Sequence, residues 1–211
     1  MNLATQKLLF QGPAGQLEAL CDMPPEAAGL PIGTAVICHP HPLFGGTMQN
    51  KVVQTLARAF VQAGWRAVRF NFRGVGASQG SYDQGRGEAQ DALAIIAQSA
   101  PAQAPLALAG FSFGAFVTCQ AVQHLEGARN ISTLVLVGTA AANFEVPPVP
   151  AHLHPHTLVL HGELDDTVPL ASVLNWARPQ SLPITVVPGV EHFFHGQLPL
   201  LKSVVTRHLR A

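Results

Sequence analysis

Apolar positions along this chain alternate between short β-rich runs and longer stretches repeating at helical spacing. That alternation predicts a parallel sheet wrapped by helices. Two opening segments, Gln6–Phe10 and Gln16–Cys21, flank Gly12-Pro13-Ala14-Gly15 and are expected to form an antiparallel hairpin. Thr34–Cys38, Trp65–Phe70, Leu106–Ala109, Thr133–Val137, Thr157–Leu160 and Ile184–Val187 are expected as further strands. Between them, Lys51–Ala63 carries Val52, Val53, Leu56, Phe60 and Ala63 on one stripe, and Gly64 ends it as a helix. Glu88–Ala100, Phe113–Leu125, Pro169–Ala177 and Gly196–Leu209 are the other expected helices. The fold class is therefore α/β: a mostly parallel sheet with an N-terminal antiparallel hairpin and helices on both faces, in a single domain over residues 1–211. Residues 138–156, with the Pro-rich run Val146–Pro150, leave no room for a lid domain.

Composition narrows the class further. Hydrophobic residues make up 48% of the chain and charged residues only 11%, which supplies a sizeable core and excludes a disordered chain. Lys+Arg and Asp+Glu balance at 12 each with no run of either sign, so the electrostatic footprint of a nucleic-acid binder is missing. Net neutrality is compatible with self-association as a homodimer. Cys21, Cys38 and Cys119 are an odd set without CxxC spacing, which argues against a disulfide framework or a zinc ribbon. The start Met1–Lys7 lacks the pattern of a signal peptide, and no run reaches the roughly 18 apolar residues that span a bilayer. A cytoplasmic protein with no membrane partner is expected.

The candidate chemistry begins with G-x-S-x-G, which occurs twice, as Gly76-Ala77-Ser78-Gln79-Gly80 and Gly110-Phe111-Ser112-Phe113-Gly114. Context separates the two. A nucleophile elbow needs a strand, a turn too tight for bulky neighbours, and a helix starting at once. Ser112 has an expected strand directly before it and an expected helix directly after it. Ser78 has neither and reads as a turn residue. A helix N-terminus after Ser112 also points positive potential at a developing oxyanion.

A serine hydroxyl needs a base with a pKa near the working pH, and that base needs a carboxylate to hold its tautomer. In hydrolases with this elbow the partners follow in the order Ser, Asp/Glu, His, on loops after strands. The loop after Thr157–Leu160 reads His161-Gly162-Glu163-Leu164-Asp165-Asp166-Thr167-Val168-Pro169. The loop after Ile184–Val187 reads Pro188-Gly189-Val190-Glu191-His192-Phe193-Phe194-His195. Asp165, Asp166 and Glu163 are candidates for the acid, and His192 and His195 for the base. His195 has the competing role of capping the helix near Gly196, and His161 that of closing a strand.

These segments resemble small lidless α/β-hydrolases, the serine esterases related to dienelactone hydrolase. H-G-x-x-D-x-x-V-P implies Asp165 as the acid, and acidic residue-His-Phe implies His192 as the base. Cys38-His39-Pro40-His41-Pro42-Leu43-Phe44-Gly45-Gly46 and Asn71-Phe72-Arg73-Gly74-Val75-Gly76 resemble the same group. The resemblance runs over about residues 34–195. Dienelactone hydrolases use a cysteine at the elbow, whereas this chain has Ser112, which points to general ester chemistry.

An oxyanion needs preorganised donors. Phe113, the residue after the nucleophile, is one expected source. Pro40 and Pro42 have no N–H, leaving His41 and Leu43 as sources of the second, and the resemblance selects His41. Phe44, Phe111 and Phe193 flank these loops and are expected at the substrate pocket, where they would favour apolar acyl groups. His152, His154, His156 and His161 are spaced by two over part of their run, but Pro155 interrupts it and no ligand set for a closed zinc site is completed. No metal or other cofactor is expected. The expected partner is a small-molecule ester of a short or soluble acyl group, cleaved through an acyl-enzyme. Thioesters, lactones or peptides would use the same machinery, and a ligand-binding relative without catalysis is the rival from another class.

Overall fold

The computed structural model describes residues 5–25 and 29–210; Met1–Ala4 of the N-terminal reading lie outside them. Its strands are β1 (Gln6–Gly12), β2 (Gly15–Asp22), β3 (Thr34–Cys38), β4 (Arg66–Phe70), β5 (Leu106–Phe111), β6 (Ile131–Val137), β7 (Thr157–Gly162) and β8 (Ile184–Val187). Its helices are α1 (Lys51–Gln62), α2 (Arg86–Ser99), α3 (Phe113–Leu125), α4 (Leu170–Ala177) and α5 (Leu198–His208). The strands form one 8-stranded sheet in the order β1-β2-β4-β3-β5-β6-β7-β8. The β1–β2 hairpin is antiparallel and joins β4 antiparallel, and every other pairing is parallel.

Period-2 alternation sends neighbouring strand residues to opposite faces. In β3, Val36 and Cys38 join the core under α2, α3 and α4, while Ala35 and Ile37 join the core under α1 and α5. The central strands are buried on both faces, which is why they read as continuous apolar runs.

Local chemistry sets the helix ends. Asn50 Oδ1 accepts from Val52 N (2.8 Å) and Val53 N (3.4 Å), capping the start of α1. Buried Glu88 accepts from Asp83 N and Gly85 N, both at 2.8 Å, and fixes the entry into α2. The 3-10 turns Pro42–Phe44, Ala151–His156 and Arg178–Gln180 are not foreseen from the pattern, because such short pieces carry no hydrophobic period. Helix α5 starts at Leu198, with Gln197 and not His195 preceding it. Between β6 and β7 the chain forms only turns and one 3-10 stretch, so no lid covers the end of the sheet. Among the described residues no helix is long and apolar enough to cross a membrane.

Candidate active site

The loops at the C-terminal ends of the parallel strands carry Ser112, Asp165 and His192, at the edge where ligands bind in open α/β sheets. Ser112 stands alone between the last residue of β5 and the first of α3. Its backbone angles are φ 58° and ψ −119°, a region that non-glycine residues occupy only when their surroundings enforce it. The enforcement is visible. Ser112 N donates to Val137 O at 2.8 Å, tying the turn to the end of β6. A Cβ at Gly110 would collide with the Gly114 carbonyl, and one at Gly114 with the Cys38 carbonyl. The two glycines of the pentapeptide are thus a packing requirement of the turn. Ser112 is 8% exposed.

Asp165 and His192 meet. Their loops follow adjacent parallel strands, and Nδ1 of His192 donates to Oδ2 of buried Asp165 at 2.6 Å. With Nδ1 carrying the proton, the lone pair of the neutral imidazole sits on Nε2. The other carboxylate oxygen, Oδ1, accepts from Thr167 N (3.1 Å) and Val168 N (2.7 Å), which fixes its plane. Gly138 lets the imidazole approach the end of β6, since a Cβ there would lie 3.1 Å from Cε1 and 3.2 Å from Nδ1. Phe111, the residue before Ser112, places its ring 4.9 Å from the His192 ring.

The alternatives lie elsewhere. Glu163 accepts from Gly189 N (2.9 Å) and Asp166 from Thr167 Oγ1 (3.4 Å), both at the surface. His195 is exposed, and its Nδ1 pairs with Glu191 at 3.0 Å instead of capping α5. Ser78 is a buried tie: its Oγ donates to Asn71 O (2.7 Å) and accepts from Glu18 N (3.0 Å). His154 donates a ring N–H to Val149 O at 2.9 Å, and among the described residues no cluster of His, Cys, Asp and Glu is arranged to hold a metal.

Two histidines gain contacts that the sequence did not announce. His161, on β7, is fully buried and its Nε2 lies 2.9 Å from Val168 O and 3.4 Å from Asp165 Oδ2. Both neighbours are acceptors, so Nε2 carries the proton. Burial holds the His161 pKa below its usual value, against the pull of Asp165, and keeps the ring neutral. The two residues are four apart, but across a loop that spacing carries no periodic signal, so the sequence did not mark the contact. His39, also buried, donates from Nδ1 to Pro40 O (2.6 Å) and accepts at Nε2 from Phe72 N (3.1 Å). It pins the loop after β3 to the loop after β4.

The loop after β3 then turns through His41. The His41 Nδ1 accepts from Leu43 N at 3.2 Å, so the Leu43 N–H is already engaged. The imidazole therefore carries its proton on Nε2 and donates it to Tyr82 Oη at 3.1 Å. Partial burial lowers the His41 pKa and favours this neutral form. Phe113 N opens α3, where no intrahelical acceptor exists.

A cavity of about 350 Å³ opens on Ser112 and is lined by His41, Phe44, Phe113, Ala140, Asn143, Phe144, Thr167 and Val168. Of the three phenylalanines of the sequence reading, Phe44 lines this cavity, and Phe111 and Phe193 do not. Phe111 ends β5, and alternation turns its ring into the core under α1 and α5, fully buried beneath His192. Phe193 packs edge-on against the His192 ring at 5.0 Å, outside the cavity. Ala140, Asn143 and Phe144 come from the loop after β6, which has no motif to mark it. A larger concavity of about 740 Å³ lies over the β1–β2 hairpin, between Leu9, Glu18, Thr47 and Asn71, and contains none of these groups.

Fold and site together define an α/β-hydrolase. The chain belongs to the serine aminopeptidase, S33, family, whose sequence pattern matches residues 31–182. It is similar to an α/β serine hydrolase without lid from Xanthomonas campestris, at 35% identity and a TM-score of 0.86, covering 100% of this chain and 95% of that one. An α/β serine hydrolase homologue from Coxiella burnetii matches at 37% identity and a TM-score of 0.82, covering 97% of each chain. An uncharacterized protein of Rickettsia prowazekii is 30% identical over 96% of this chain and 88% of its own length.

Proposed function

We propose that this chain hydrolyses carboxylic esters through an acyl-enzyme on Ser112, with His192 as base and Asp165 as the acid that orients it. The observation that carries the reading is the 2.6 Å Asp165–His192 hydrogen bond, at the sheet end where Ser112 occupies a constrained elbow. His192 Nε2 removes the Ser112 proton as Oγ bonds to the ester carbonyl carbon, and the carbonyl electron pair moves onto oxygen. The N–H groups of Phe113 and His41 receive that oxyanion, a role left to His41 because the Leu43 N–H is engaged. Collapse expels the alkoxide, which takes the proton from His192. Water then repeats the sequence on the acyl-enzyme and releases the acid.

Ester chemistry is favoured over aminopeptide chemistry by the lining of the cavity. An aminopeptidase must hold a free ammonium, and none of the side chains lining this cavity is charged. The nearby Asp165 carboxylate is committed to His192, Thr167 N and Val168 N. The uncovered site suits short or soluble substrates.

The test is turnover of p-nitrophenyl acetate, butyrate and octanoate, with alanine p-nitroanilide in parallel. Ester hydrolysis should exceed anilide hydrolysis, and Ser112→Ala should lower it by at least about a thousandfold. Anilide turnover without ester turnover would overturn the substrate class. Full activity in Ser112→Ala would overturn the nucleophile.

A further inference from the structure

We infer that the cavity beside Ser112 is an acyl pocket for an uncharged, planar aromatic group. The inference rests on the ester-hydrolase reading above and adds which group of the ester enters the cavity. The leaving oxygen must face His192 to receive its proton. The cavity is walled by Ser112, Phe113 and His41, and His192 is not part of its lining. The substituent that fills it is therefore the acyl side, and the alcohol side looks out past Phe193, which is 41% exposed.

The rings of the wall are held in place before any ligand arrives. Phe144 stacks on buried Phe116 at 4.7 Å and 15°, and meets Phe113 edge-on at 5.2 Å and 66°. His41 lies 4.9 Å from Phe113 and is itself tied by Leu43 N and Tyr82 Oη. Across the mouth, Phe44 meets His41 edge-on at 4.8 Å. Phe44 is 87% exposed, so folding gains almost nothing from its ring, and among the described residues its aromatic neighbour is His41, a cavity residue. A phenyl group entering this space finds edges and faces already arranged for offset and T-shaped contacts. Volume agrees: about 350 Å³ is near the lower end of small-molecule pockets, roughly 300–1,000 Å³, and suits one ring on a short tether. The absence of lysine and arginine from the lining disfavours an acyl group bearing a carboxylate.

The test compares kcat/KM for the p-nitrophenyl esters of phenylpropanoate, cyclohexylpropanoate and nonanoate, which share a leaving group and carbon number. The aryl ester should exceed the cyclohexyl ester by on the order of tenfold, because the two differ in ring planarity and π character more than in apolar area. Phe44→Leu at the exposed wall and Phe144→Leu at the inner wall should each reduce that ratio severalfold; the ratio is internal to each variant and does not depend on how much protein folds. A wild-type ratio near one, or a ratio unmoved in both variants, overturns the inference. Labelling of wild-type Ser112 by a small fluorophosphonate separates the two levels. Labelling without aryl preference rejects only the pocket, whereas no labelling of the folded protein rejects the hydrolase reading beneath it.

Discussion

At Ser112 the backbone is held in a conformation that costs an isolated L-residue roughly 1–3 kcal/mol. The Val137 carbonyl and the close glycines on either side hold it there. If this strain serves to present Oγ, removing the side chain should relax it. Ser112→Gly is expected to be more stable than Ser112→Ala by about 1 kcal/mol, both being inactive, because only glycine accepts that φ freely. Urea midpoints of the two variants check this, and equal midpoints would remove strain from the account. Ser112 was legible in the sequence because the elbow is a local device of strand, glycine-flanked turn and helix. His161 was not. Its contact with Asp165 depends on how the chain turns after β7, and a histidine ending a strand looks the same with or without that neighbour.

Among the elements, α2 is joined to the sheet by a buried ion pair. Arg73, in the loop after β4, donates to Asp91 through Nε (3.0 Å) and Nη2 (2.8 Å), and its backbone N also reaches Asp91 at 3.0 Å. Asp91 is fully buried on α2. Arg73→Met would leave that carboxylate without its counter-ion and should cost about 3–5 kcal/mol, whereas Arg73→Met with Asp91→Leu should recover a large part of the loss. Chemical denaturation of both variants decides; a double variant as weak as the single one would mean that packing, not the uncompensated charge, carries the effect. The Asn71–Gly76 stretch was read only as part of a family resemblance. The structure gives it a physical purpose, since Arg73 docks α2 and Phe72 N holds His39.

For the molecule as a whole, buried neutral histidines set the response to acid. His39 is fully buried, donates at Nδ1 and accepts at Nε2, so a second ring proton would face the Phe72 N–H. Burial pushes its pKa down to about 4 from 6.5. His161 and His208 are shifted downward by burial as well. A histidine whose folded pKa is depressed takes up protons first in the unfolded chain. Stability should therefore be full above about pH 6.5 and fall as the pH drops toward 4, with His39 alone accounting for about 3 kcal/mol at the lower end. Unfolding midpoints between pH 7 and pH 4 should trace that slope, and His39→Gln should flatten it while lowering the plateau. A wild-type midpoint that does not move over this range would contradict the assignment. The same residue pins the loop that carries His41, so the acid response and the site share one element.

Read alone, the sequence determined the alternation of strands and helices, the hairpin at the start, the short link between β6 and β7, and the loops that carry Ser112, Asp165 and His192. Those features follow from period, turn chemistry and chain order, all of which act over a few neighbouring residues. Tertiary structure alone decided that Phe144 walls the cavity while Phe111 lies under His192, that His161 reaches Asp165, and that the Leu43 N–H is engaged with His41. The sheet order puts β3, β5, β6 and β7 side by side, and so brings together loops separated by tens of residues in the chain. Which side chains then face one another depends on strand register and loop path, and no periodicity within a single segment encodes either.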